Sequence, residues 1–495
     1  MSRPTSAEIR ESLDHPVIDA DGHTIEFAPA LEPYVREEGI THGTFGLLGA
    51  DGPYTRLGRT ASITPEERRR WHIPREPWWV VAADARDYAT ATLPRLFYDR
   101  LDEFGIDFAV LYPTAGILAL HLDDEQLRRR LCRAINRYHA DAFAEVGDRI
   151  RGVALIPAHT PAEAIEAVDH AVGELGFHNI LIPGYVKRPI VGALERDPQA
   201  GRYAYWFDTY GVDSEYDYDP FWARCAELRL VVATHSVGFG LGHRQSTTNW
   251  MYNQAGHFAT AQDAVCKSMF MGGVTHRFPE LRFAFLEGGV AWACALYADM
   301  VGLWQKRNGT AVRQYSPARF DRTLFSELVD QHGGAMFAGK VAAEPPLDPA
   351  RWEDDHRDDW EAVGIKKEED IRDRFVPNFY FGCEADDPFV GLAFDSSSNP
   401  FGARLNAMFS SDIGHWDVTD AAAVLGEAWG LVEKEQLDRA EFRDFTFANA
   451  VRLYGEVDPD YFVGTVLEQE AAAVLRVPVD CSPGVVAGSK QEDRT

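Results

Sequence analysis

Pro16-Val17-Ile18-Asp19-Ala20-Asp21-Gly22-His23 is the stretch from which the rest of the chain can be read. Its first three residues form an apolar run that reads as a buried strand, and the Asp-x-Asp-x-His string lies where that strand ends. Successive strand residues alternate faces, so an extended backbone would project positions 19, 21 and 23 to one side. Two carboxylates and an imidazole then share a face. Carboxylate oxygen and imidazole nitrogen at two-residue spacing suit a grip on Fe, Mn or Zn. The competing reading is a turn capped by Asp19 and Asp21, with His23 a satisfied polar residue.

Downstream, further short apolar runs alternate with helical periodicity. Strands are expected at Phe108 to Tyr112, Gly152 to Ile156, Asn179 to Ile182, Leu230 to His235, Arg282 to Glu287, Asn378 to Phe381 and Ala407 to Ser410. After Asp123, apolar residues at Leu127, Leu131, Ile135, Tyr138 and Ala142 recur every three or four positions, one face of a helix. Pro161 opens another helix, expected to run to about Gly176. Helices are also expected at 220–228, 257–276, Ala291 to Lys306, 419–434 and 436–454, whereas 185–219 reads as irregular.

Eight apolar strands, most followed by a helix, predict an α/β chain folded as a (β/α)8 TIM barrel. A doubly wound open sheet would also alternate, but its glycine-rich phosphate loop after the first strand is replaced here by acids and a histidine. Two long insertions interrupt the rhythm, at 26–105 after strand one and at 309–375 after strand six. The first carries Arg68-Arg69-Arg70-Trp71 and Pro77-Trp78-Trp79, residue types that could line a pocket for an apolar acid. The second is highly charged from Glu353 to Arg374 and reads as a solvated helical face. The predicted organisation is a tail at 1–15, the barrel at 16–460, and an extension and tail at 461–495.

The 495 residues carry 49 basic and 77 acidic side chains, a net charge of −28. So negative a surface disfavours nucleic acid and anionic membranes as partners and leaves a small-molecule substrate. The six cysteines are scattered without a CxxC and mostly lie within apolar runs, as reduced core residues do. Met1 to His15 lacks the apolar core of a signal peptide, and no run approaches the length of a membrane span, so a cytoplasmic protein is expected.

The candidate site emerges from where chemistry-bearing residues fall. Asp21 and His23 end strand one, His235 ends strand five, Glu287 ends strand six and Asp412 follows strand eight. In a barrel these positions converge on the C-terminal mouth. Three carboxylates and two imidazoles exceed what a single ion with open positions needs, which suggests two ions. An oxygen-rich set without cysteine favours Fe or Mn, with Zn as an alternative. His257 and His415 are optional further ligands on the mouth loops.

Five pieces of the chain resemble the amidohydrolase-related metal enzymes typified by aminocarboxymuconate-semialdehyde decarboxylase. They are Val17 to His23, Thr234-His235, Arg277 to Phe283, Gly288-Gly289 and Ser410-Ser411-Asp412, in order along the chain. The resemblance implies a metal-bearing barrel with ligands at Asp21, His23, His235 and Asp412, and a weak expectation of a homodimer. Two departures stand out. Where decarboxylases of this type usually carry a proton-handling His-Gly-Gly, this chain has Glu287-Gly288-Gly289, and Asn179 to Ile182 lacks the lysine that many two-metal amidohydrolases carbamylate. The Leu286-Glu287-Gly288-Gly289 string is similar to the non-haem di-iron monooxygenase branch that serves platensimycin and platencin biosynthesis.

Two enzyme readings follow. In the first, a di-iron centre held by Asp21, His23, His235, Glu287 and Asp412, with His257 as an added ligand, hydroxylates a bulky apolar organic acid or its thioester. In the second, a metal-dependent hydrolase or non-oxidative decarboxylase acts on a small carboxylated compound, with Asp412 as water-activating base and Glu287 as proton carrier. A non-catalytic binding barrel is the third class.

Overall fold

The computed structural model describes residues 4–40, 64–75, 77, 81–202, 204–237, 240–341, 358–361 and 363–477. Trp78 and Trp79, the charged run from Glu353 to Arg357, and Cys481 lie outside the described residues.

The apolar runs become strands with two buried faces. In chain order these are β1 (Ile18–Thr24), β2 (Phe108–Pro113), β3 (Ile150–Gly152), β4 (Ala154–Leu155), β5 (Asn179–Pro183), β6 (Val186–Pro189), β7 (Tyr205–Asp208), β8 (Val231–His235), β9 (Arg282–Phe285), β10 (Phe379–Glu384) and β11 (Asn406–Ser410). One parallel sheet has the order β1-β2-β3 and a second β11-β10-β9-β8-β5-β4. Only Val153 separates β3 from β4, and its N–H donates to the Leu111 carbonyl at 3.2 Å. At the opposite edges, the Asp412 N–H donates to the Asp21 carbonyl at 3.1 Å and the His23 N–H to the Ile413 carbonyl at 3.0 Å. Two seams therefore join the sheets.

Strand residues divide by parity between two cores. Ile18, Val110, Leu155, Leu181, Ala233, Ala284 and Met408 pack in one, while Val17, Ala109, Ile180, Val232, Phe283, Phe381 and Phe409 pack in the other. Burial on both faces is what parallel strands covered by helices require, and it accounts for near-continuous apolar runs in place of alternation. The helix predicted after Asp123 spans Glu125–Phe143, capped by the Asp124 side chain and burying Leu131, Ile135 and Tyr138. Its Arg128 forms a buried bidentate pair with Glu163 of the helix Pro161–Val168, at 2.8 and 3.0 Å.

Several details depart from the sequence expectation. Residues 185–219 contain the antiparallel β6–β7 hairpin. The stretch 26–105 contributes helices Ala28–Glu37, Pro65–Arg70, Ala85–Thr92 and Pro94–Phe104, too short for their periodicity to stand out. The helix expected to reach Gly176 changes to π geometry over Asp169–Glu174. The terminal segment at 1–15 holds the helix Ser6–Ser12, with Ile9 buried and the Ser6 hydroxyl bonded to the Ala422 carbonyl at 2.6 Å. Cys132, Cys225, Cys266, Cys294 and Cys383 are all buried and free. Among the described residues no helix is long and apolar enough to cross a membrane.

Candidate metal centre

β1 does not run straight through its Asp-x-Asp-x-His string. Asp19 pairs with Ala109 and Gly22 with Leu111, so β1 spends one more residue than β2 between these points. That bulge re-aims the side chains. Asp19 turns to β11, where its carboxylate accepts from the Ser411 N–H at 2.9 Å and the Ser411 hydroxyl at 2.6 Å, and also from the Asp21 N–H at 3.3 Å. Burial pushes Asp19 up to about 6 against the opposing pull of these bonds. Asp19 is thus a clamp that positions Asp21 and the residue before Asp412.

Asp21 and His23 meet the ends of three other strands. His23 Nε2 lies 3.3 Å from Asp412 Oδ1 and 3.6 Å from Asp21 Oδ1. His235 Nε2 lies 2.7 Å from Glu287 Oε2, and His415 Nδ1 lies 2.7 Å from Asp412 Oδ1 and 4.0 Å from Glu287 Oε1. His235 Nδ1 sits 2.7 Å from the Ser236 carbonyl, so that nitrogen carries the proton and Nε2 keeps its lone pair. Close as these atoms are, Asp21 Oδ1, His23 Nε2, His235 Nε2, Glu287 Oε2 and both Asp412 oxygens are buried without a hydrogen-bond partner.

Buried polar atoms this crowded yet unbonded make a candidate cation site. One ligand atom each from His23, Glu287, Asp412 and His415 fits within a 4.8 Å span, as does one each from Asp21, His23 and His235. Ligands about 2 Å from a common ion lie within such a span of each other. Electrostatics agree. Burial pushes the Asp21, Glu287 and Asp412 carboxyls well above their usual range, with Asp417 adding repulsion at Glu287, and Glu287 and then Asp417 adding it at Asp412, while burial drives His23 far down and His415 to about 3. Neutral imidazoles and carboxylates that repel one another are stabilised together by a positive ion. Glu287 and Asp412 adopt left-handed backbones, φ 58° and 52°, a conformation that costs non-glycine residues about 1–2 kcal/mol and collects at functional sites.

The structure brings together Asp21, His23, His235, Glu287 and Asp412, as expected from their strand ends, and adds His415. His257 stands outside the converging donors, with its Nε2 2.9 Å from the Ser236 hydroxyl. Sequence reasoning missed Glu384, at the end of β10, pushed up to about 8 by burial and then by Glu287, and Asp417, also raised by burial. The signal was present but overlooked: β10 continues through Gly382-Cys383 to a carboxylate, the same strand-end placement that marked His235.

Residues 18–350 match the amidohydrolase family Amidohydro_2. The chain is 23% identical over 253 residues to 2-keto-4-carboxy-3-hexenedioate hydratase of Sphingobium sp. (strain NBRC 103272 / SYK-6), covering 50% of this chain and 66%, just under two thirds, of that one. An amidohydrolase from Mycobacterium avium subsp. paratuberculosis K-10 superposes with a TM-score of 0.52 at 16% identity, over 90% of this chain and 100% of that one, and so shares the fold. A 2,6-dihydroxybenzoate decarboxylase from Rhizobium gives a TM-score of 0.47 at 14% identity, over 89% and 98% of the two chains. Matched over more than half its length, the chain belongs to the amidohydrolase family.

Proposed function

We propose that the chain is a metal-dependent lyase or hydrolase that acts, without oxidation, on a small carboxylated compound. In this reading the two seamed sheets form a (β/α)8 barrel, with insertions after β1 and β9 and the metal at the C-terminal mouth. The observation that carries the proposal is the set of buried, unbonded donor atoms on Asp21, His23, His235, Glu287 and Asp412. The relative named for hydration of 2-keto-4-carboxy-3-hexenedioate supports a non-oxidative reaction over the di-iron monooxygenase expected from the sequence.

Asp21, His23, His235 and Asp412 would hold the ion, with Glu287 and His415 completing or opening the set. A divalent ion bound there supplies Lewis acidity and lowers the pKa of a coordinated water. The chain's own groups supply the rest. Asp412, held by the Asp19–Ser411 clamp, is placed to accept a proton at Oδ2, and Glu287 is placed to return one from Oε1. His235 keeps its lone pair aimed into the centre through its bond to Ser236. The buried walls exclude bulk water and strengthen every charge interaction within.

A two-ion centre is the second reading, favoured because two donor groups share His23 and because Glu384 and Asp417 lie beside Glu287 and Asp412. Metal analysis of the purified protein, combined with anaerobic assays on carboxylated candidates, separates the two. A single Mn or Zn ion per chain and turnover that persists without oxygen are expected. Paired iron with oxygen-dependent turnover would overturn the proposal.

A further inference from the structure

Arg128, Arg129, Arg130, Arg133 and Arg137 all fall on the helix Glu125–Phe143, in a molecule whose net charge is −28. Acids answer most of them. Arg128 forms its buried pair with Glu163, Arg129 pairs with Glu166 and with Glu125 at 3.1 Å, and Arg137 pairs with Glu37 at 2.6 Å and Glu38 at 3.3 Å. Arg133 reaches Glu38 through Nε at 3.5 Å, which leaves its two terminal nitrogens to a further partner. Arg130 is exposed and forms no ion pair among the described residues.

Both spare arginines line a cavity of about 200 Å³, set between this helix and the helix Pro161–Val168 with its π continuation Asp169–Glu174. It shares no residue with the candidate metal centre. That volume is about six or seven waters, or one compact ring. The buried part of the lining is apolar, Cys132, Leu155 and Pro157, with Asn136 bonded to both the N–H and the carbonyl of Leu155, at 2.8 and 2.9 Å. Burial holds the Cys132 thiol protonated, so that wall carries no charge. Glu38, Glu163 and Glu166 also line the cavity, but each is already held by an arginine. His170, on the π segment, completes the wall, and burial and then Arg133 keep its imidazole below the usual range and therefore neutral. An apolar recess with uncommitted guanidinium groups at its rim suits an amphipathic anion, and π segments recur at functional sites.

We infer that this cavity is a second ligand site, which takes a compact organic monocarboxylate, its apolar body against Cys132, Leu155 and Pro157 and its carboxylate between Arg130 and Arg133. The planar guanidinium fork matches a carboxylate, whereas an inorganic anion would leave the apolar wall unused. The site lies on the outer side of β4, against the covering helices, and its occupancy is independent of the metal and of the reaction proposed above.

Saturation-transfer NMR titrations of the zinc-loaded and the chelator-treated protein with benzoate and benzamide test it. Benzoate is expected to bind about tenfold more tightly than benzamide, the discrimination of one charge-assisted contact, and to do so with and without zinc. Arg130→Met should remove that preference and leave benzamide binding unchanged. Ala167→Trp, which fills the cavity from its half-buried edge, should remove binding of both, with near-UV circular dichroism and zinc uptake unchanged. Inorganic phosphate should fail to displace benzoate. Benzoate binding that disappears with the zinc belongs to the metal centre and overturns the site. So do displacement by phosphate, equal affinity for the two ligands, a preference that survives Arg130→Met, and absence of benzoate binding.

Discussion

Single side chains hold the geometry on which the centre depends. Asp19 contributes no donor atom to it, yet its bonds fix Ser411 and, through the backbone, Asp21 and Asp412. Ser411→Ala removes one of these bonds. It should weaken zinc affinity about 10- to 100-fold, read by competition with a chromophoric chelator, while leaving the number of ions bound at saturation unchanged. Glu26 is a second buried acid, accepting from the Ala115 and Gly116 N–H groups at 2.9 and 2.8 Å, and burial lifts it from 4.5 to about 7. The folded protein therefore keeps a proton that the unfolded chain releases above 4.5, and stability falls as pH rises from about 4.5 to about 7 before levelling. Glu26→Gln should flatten that slope, a difference on the order of 3 kcal/mol at most, measured from urea midpoints at pH 5 and pH 8. Identical slopes in both proteins would refute the assignment.

Secondary-structure elements show what could be read in advance and what could not. Apolar runs bounded by chemistry-bearing residues revealed the strand ends, because parallel strands buried on both faces have no alternation to confuse the pattern. Asp21, His23, His235, Glu287 and Asp412 were legible for that reason. The β1 bulge was not, since a register slip depends on the partner strand, and it is what separates Asp19 from the donors it resembles in sequence. The β6–β7 hairpin hid because its short strands mix Tyr, Lys, Arg and Pro, and its turn spans many residues. His257 looked like a ligand by position after β8, but its Nε2 is engaged by the Ser236 hydroxyl and it stands outside both groups of converging donors. Gly22 marks the bulge itself: a Cβ there would lie 2.5 Å from Asp19 Oδ2 and 2.8 Å from Leu111 Cδ2. Gly22→Ala should cost about 1–3 kcal/mol by overpacking and should displace Asp19, lowering thermal stability and zinc affinity together. A loss of stability with zinc affinity intact would separate the bulge from the centre.

At the scale of the whole molecule, the proposed metal ties elements that the backbone leaves far apart. Its donors come from β1, β8 and the segments after β9 and β11, so bound metal favours only the state in which all four are assembled. Chelator treatment should lower the melting temperature, and zinc at a hundred times its dissociation constant should restore about 2.7 kcal/mol. A melting temperature indifferent to zinc and chelator would show that the donors do not converge on an ion. The net charge of −28 adds self-repulsion that a buried cation relieves locally, so the effect should be larger at low ionic strength.

The seam between Asp19 and Ser411 spans 392 positions of the chain. During synthesis, therefore, the string at Asp21 and His23 must wait for the 392 positions that separate Asp19 from Ser411 before the last of its partners exists. A ribosome stalled before β11 exposes a nascent chain that lacks Asp412 and His415 and has an unpaired β1 edge. Capture of the proposed ion would thus wait on β11, and would mark the molecules in which that last strand has joined β1.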